Sequence, residues 1–155
     1  MKRADISKRI LHCLAWTCFL LSVVQCSGRK NAMLGIADGK LTPCPDSPNC
    51  VSSQSKDQHH YIEPLHFTGP LEASRKKLIK ILDSMQRVKI IRETNNYLHV
   101  TVTSRFFRFV DDMEFYFVED PPVIHIRSAS RVGYSDLGVN RKRIEKIRKA
   151  MAKNI

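Results

Sequence analysis

Asp111, Asp112 and Glu114 crowd into four residues, and Arg127 and Arg131 follow a short way down the chain. On a strand, Asp112 and Glu114 point to one face, while Met113 and Phe115 point to the other, toward a core. Arg127 then falls on the next strand and Arg131 just past its end. Acids opposite arginines make a cross-strand ion network. The same residues also suit a polar pocket. There Arg127 and Arg131 would grip a small anion, since planar guanidinium matches carboxylate or phosphate in two-point contact. Asp112 and Glu114 would orient them, and Asp136 and Asn140 in the next loop complete the candidate ligand-binding set. A third reading places a divalent cation at Asp111, Asp112 and Glu114. Calcium takes six or more oxygens, and few others are in view. No metal and no cofactor is therefore expected.

Nucleophilic chemistry has weaker support. Ser52, Ser128 and Ser130 are candidate nucleophiles, and His99 and His125 candidate bases. No Gly-x-Ser-x-Gly elbow accompanies them. His125 reads better as a packed strand histidine. Cys44 and Cys50 are the cysteines left once Cys13, Cys18 and Cys26 are assigned to the N-terminal segment. In an oxidising compartment such a pair reads as a disulfide. His59 and His60 could in principle join them around zinc, but the spacing follows no zinc pattern.

The elements that must position these residues follow from periodicity. Tyr61 to Phe67 is a short extended segment. Gly69-Pro70 opens a helix whose Leu71, Leu78, Ile81, Leu82 and Met85 share one face. Val88 begins a strand, Asn95-Asn96 suits a tight turn, and Tyr97 to Thr103 alternates. The alternation breaks at Arg105-Phe106-Phe107-Arg108-Phe109, which marks a bulge or turn. Met113 to Phe117 alternates again, Glu119 to Pro122 is a turn, and Val123 to Ser128 is another strand. A loop from Gly133 to Gly138 leads into a basic helix carrying Ile144, Ile147 and Met151 on one stripe. The fold class is α+β: a single antiparallel sheet of about five strands with two helices on one face.

Three stretches carry a resemblance. They are Cys44-Pro45-Asp46-Ser47-Pro48-Asn49-Cys50-Val51-Ser52-Ser53, then Asp111 to Phe115, then Arg127-Ser128-Ala129-Ser130-Arg131 through Gly133, Asp136, Asn140 and Arg141. In this order and spacing they resemble the bacterial and plant family filed as domain of unknown function 1499, from about Leu41 to about Arg148. The resemblance implies an exported or membrane-associated setting. It implies no reaction.

The N-terminus points to the same setting. Lys2, Arg3, Lys8 and Arg9 precede an apolar run from Ile10 to Val24, and Cys26 follows Gln25. Basic head, apolar core and cut site are the parts of a secretory signal. The run is short for a membrane span, which takes about 20 residues. Residues 1–25 read as a lipoprotein-type signal peptide, Cys26 as the acylated residue, 26–40 as a tether and 41–155 as one α+β domain. The chain carries a net charge of +11, of which +6 lies in residues 141–155. Such a helix could face anionic lipid; nucleic acid is not an expected partner for an exported protein. The expectation is an extracytoplasmic envelope lipoprotein, held to the membrane by its anchor, that binds or scaffolds without catalysis. The alternative is a small extracytoplasmic enzyme with an Asp/Glu/Arg-lined pocket.

Overall fold

The computed structural model describes residues 34–153. The N-terminal residues read as a signal, and Cys26, lie outside the described residues. Among the described residues, eight strands and two helices follow in order: β1 (Ile36–Ala37), β2 (Lys40–Leu41), β3 (Cys50–Ser52), β4 (Leu65–His66), α1 (Leu71–Asp83), β5 (Val88–Glu93), β6 (Tyr97–Thr103), β7 (Val110–Val118), β8 (Val123–Ser130) and α2 (Val139–Ala152). The α+β class holds, with a correction to the sheet. It has six strands, ordered β3-β8-β7-β6-β5 with β4 also pairing β8, and β1 and β2 form a separate two-stranded sheet. The additional strands, β1, β2 and β3, are two or three residues long, too short for alternation to reveal. Pairing is antiparallel throughout the sheet ladders, with one isolated parallel bridge between Ser52 and Tyr61.

Register sorts side chains to two faces. Met113 stands opposite Val100 on β6 and Ser128 on β8; Phe115 stands opposite Leu98 and Ile126. These residues, with Val51, Val102, Phe117 and Ile124, meet Leu78, Ile81, Leu82, Ile144 and Ile147 from the helices in one buried core, except that Ser128 keeps its hydroxyl for a polar contact. Leu78 and Leu82 are fully buried because i, i+4 spacing stacks them on one helix face. Each contributes about 2 kcal/mol by leaving water, and a charge at Leu82 would break the packing. Pro70 precedes the first turn of α1 and Glu72 sits within it, held by Arg75. Ser84 ends the helix by donating its hydroxyl to the Ile81 carbonyl.

The opposite face is also buried, and it is polar. Tyr97, His99, Asp112, Glu114 and Arg127 are all shielded from solvent. Leu41 of the N-terminal hairpin is buried as well, and its N–H donates to the Gln54 side chain. Among the described residues, no helix is long and apolar enough to cross a membrane.

Candidate functional site

Glu114 sits at the centre of the far face, fully buried. Its register partners are His99 on β6 and Arg127 on β8. One carboxylate oxygen accepts the Tyr97 hydroxyl at 2.7 Å and the Gly35 N–H at 2.8 Å. The other accepts Nη1 of Arg127 at 3.3 Å. A buried carboxylate needs such donors, because leaving its lone pairs empty costs several kcal/mol. Burial, then the bond to Glu114, pushes the Tyr97 hydroxyl far above its ordinary pKa, so it remains a donor. Arg127 is equally buried, and its Nε has no partner among the described residues.

One step along β7, Asp112 makes a second cluster. Arg131 donates Nε and Nη2 to its two oxygens, both at 2.8 Å. His99 Nε2 lies 2.8 Å from Oδ1. Burial alone would push the Asp112 carboxyl up. The bonds from Arg131 and His99 more than reverse this and hold it at about 2. An ionised carboxylate only accepts, so His99 carries its proton on Nε2. Arg131 is half exposed and brings this cluster to the surface.

Asp111 goes the other way. It accepts Nη2 of Arg143, on α2, at 2.6 Å. Asp111 and Asp112 therefore sit on opposite faces, and the divalent site at Asp111, Asp112 and Glu114 cannot assemble: alternation splits the acids. Around Arg143 lies a third network. Asn140 Oδ1 accepts Arg143 Nη1 at 2.8 Å and the Ser128 hydroxyl at 2.5 Å. Its amide nitrogen lies within bonding distance of the Asn49 carbonyl, Ser130 Oγ and Asp136 Oδ2. Asp136 also accepts the N–H groups of Gly138 and Asn140, which caps the start of α2. Asn49 completes the set by donating to the Gly133 carbonyl.

The six residues proposed from sequence thus divide. Asp112, Glu114, Arg127 and Arg131 share the far face; Asp136 and Asn140 lie on the helix side with Asp111 and Arg143. Tyr97, Gly35 and Arg143 were not singled out for the site by sequence reasoning. Tyr97 could have been found, since it shares the alternation of His99. Gly35 had no signal: it lies 79 residues from Glu114. Cys44 and Cys50 form a disulfide with sulfurs 2.06 Å apart, which removes both from the zinc reading. The Ser128 hydroxyl bonds Asn140, away from either candidate histidine. Ser53 Oγ lies 3.3 Å from His125 Nδ1 and accepts the Ile126 N–H, tying β3 to β8. Burial lowers the His125 pKa.

The geometry defines a class: an α+β domain whose six-stranded sheet carries helices and an apolar core on one side and a buried ionic layer, reaching solvent at Arg131, on the other. Within that class the chain belongs to the family described as Protein of unknown function (DUF1499), which it matches over residues 40–151. No curated protein matches it.

Proposed function

We propose that this protein is an extracytoplasmic envelope lipoprotein, anchored through Cys26, whose domain binds or scaffolds at the membrane surface and performs no chemistry. One observation carries the non-catalytic half. Glu114, Asp112 and Asp111 are each held by a guanidinium of the same chain. Acids and arginines so paired are poor general acids, bases or anion clamps, because a substrate must first displace a bonded partner. The anchoring half draws on the basic head, apolar run and Cys26 of the sequence.

A second reading, a small extracytoplasmic enzyme or anion-binding pocket, draws on Arg127 and Arg131. Arg127 keeps a buried Nε without a partner among the described residues, and Arg131 reaches solvent beside Asp112 and His99. The anchoring test is metabolic labelling with a fatty acid. Wild type is expected to carry label and to fractionate with membranes, and Cys26→Ala to lose the label. Equal labelling of both, or of neither, overturns the lipoprotein reading.

A further inference from the structure

Two loops leave the same end of the sheet. Thr103 pairs with Val110, so residues 104–109 turn between β6 and β7. Asp111 pairs with Ser130, and Arg131 donates its N–H to the Val110 carbonyl, so residues 131–138 emerge beside them. Both tips are apolar and exposed. Phe106 is 81% exposed, Phe107 78%, Tyr134 77% and Leu137 85%, with Phe109 and Val132 about half exposed. Single exposed apolar residues are ordinary, but six on two loops that leave one end of the sheet point to a contact surface.

The first loop is held at its base. Ser104 donates its N–H to the Phe109 carbonyl, and its hydroxyl oxygen accepts the Phe109 N–H. Phe107 and Phe109 stack at 5.5 Å, and the Arg105 guanidinium lies 5.5 Å from the Phe106 ring. The tip is therefore shaped before it meets a partner. Its charge is of one sign. Arg105 and Arg108 pair with no carboxylate among the described residues; Arg131, at the base of the second loop, is half exposed but already held by Asp112. The acid of that loop, Asp136, is turned inward onto Gly138 and Asn140.

The last helix, where most of the net charge lies, is a poorer candidate. Arg143 binds Asp111, Arg148 binds the Glu63 and Pro64 carbonyls and Glu145, and Arg141 binds the His59 carbonyl. Val139, at its first position, is the exposed large apolar residue of the helix among the described residues, so its lysines lack an aromatic tip such as the first loop carries.

We infer that the Phe106-Phe107 and Tyr134-Leu137 loop tips are a membrane-docking edge that inserts into the interface of an anionic bilayer. Aromatic side chains partition to the headgroup level, and flanking arginines pair with lipid phosphates. The inference rests on the envelope reading only in placing a bilayer within reach; it deepens that reading by fixing which edge of the domain meets it. Each arginine near such a surface strengthens binding about five-fold.

The test uses the full chain with Trp16→Phe, which removes its one native tryptophan, and Phe107→Trp as reporter. Vesicles carry brominated acyl chains, which quench a tryptophan that touches them. One set is phosphatidylcholine alone; the other is equal parts phosphatidylcholine and phosphatidylglycerol. The expected result is blue-shifted, quenched emission that is strong with phosphatidylglycerol and weak without it. Adding Arg105→Glu and Arg108→Glu should remove the difference between the two sets. Protein that floats with the vesicles while its tip tryptophan remains unquenched overturns the inference and leaves the anchored-lipoprotein reading standing. Unquenched emission with tip-to-tip cross-links shows instead a contact between copies, and also overturns it. Protein that floats with neither set overturns both.

Discussion

Asp111 and Asp112 are neighbours in the chain, yet their carboxylates are bound by arginines on opposite faces of the sheet. Arg143 holds Asp111 beneath α2 at 2.6 Å, and Arg131 holds Asp112 on the far face at 2.8 Å. The two pairs differ in exposure. Both partners of the first are close to buried, while Arg131 is half exposed. Removing Arg143 leaves a carboxylate buried without its cation, which costs about 3 kcal/mol. Removing Arg131 leaves Asp112 its bond to His99 and costs about 1 kcal/mol. Urea unfolding of Arg143→Ala and Arg131→Ala should rank them in that order; the reverse order would show that exposure does not govern these pairs.

Arg127→Ala separates the two functional readings. Glu114 and Arg127 are both shielded from solvent, so the variant is expected to lose about 3–5 kcal/mol and to show a large drop in thermal midpoint. Glu114→Gln keeps an acceptor for Tyr97 and Gly35 and should lose less than Glu114→Ala. A small drop for Arg127→Ala, together with loss of activity in vivo, would favour the anion site over the scaffold.

Acid should weaken the fold through Asp112. Its carboxyl is held at about 2 against an ordinary 3.8. The group therefore contributes stability that is fully present above its unfolded value and is lost as pH falls toward 2. Solvent screening at the half-exposed Arg131 holds the contribution to about 1 kcal/mol. Urea midpoints at about pH 5 and about pH 2.5 should differ less in Asp112→Asn than in wild type. An equal difference in both would assign the acid sensitivity to other groups.

The disulfide makes the N-terminal loop a second point of test. Cys44 and Cys50 are six positions apart, and closing so short a loop contributes roughly 2 kcal/mol. Replacing both with serine should lower stability by about that amount. The same change should loosen Asn49, whose carbonyl accepts Ser130 and Asn140. Non-reducing mass spectrometry of the folded protein should find the bridged peptide two hydrogens lighter than its free thiols. Two thiols open to alkylation would refute the bridge.

Much of the frame is legible in local pattern. Leu78 and Leu82, or Val100 and Val102, reach the core because the period of a helix or strand places them on one face. The same rule puts Met113 and Phe115 inward and pairs Asp112 with Glu114. The short strands β1, β2 and β3 are not legible, since two or three residues carry no period, whereas β4 falls inside the extended segment Tyr61 to Phe67.

Local pattern was enough for the α+β class, the two helices, the long strands, the Cys44–Cys50 pair and the acids and arginines worth naming. Each depends on spacing within one segment or on counting residues. The tertiary structure alone decided which acid meets which arginine, and that both faces of the sheet are buried. Strand order carries Arg127 opposite Glu114, and α2 returns to bring Arg143 to Asp111. The Gly35 N–H reaches Glu114 from the far end of the domain. Such contacts depend on chain closure over many residues, where local periodicity holds no information about the partner.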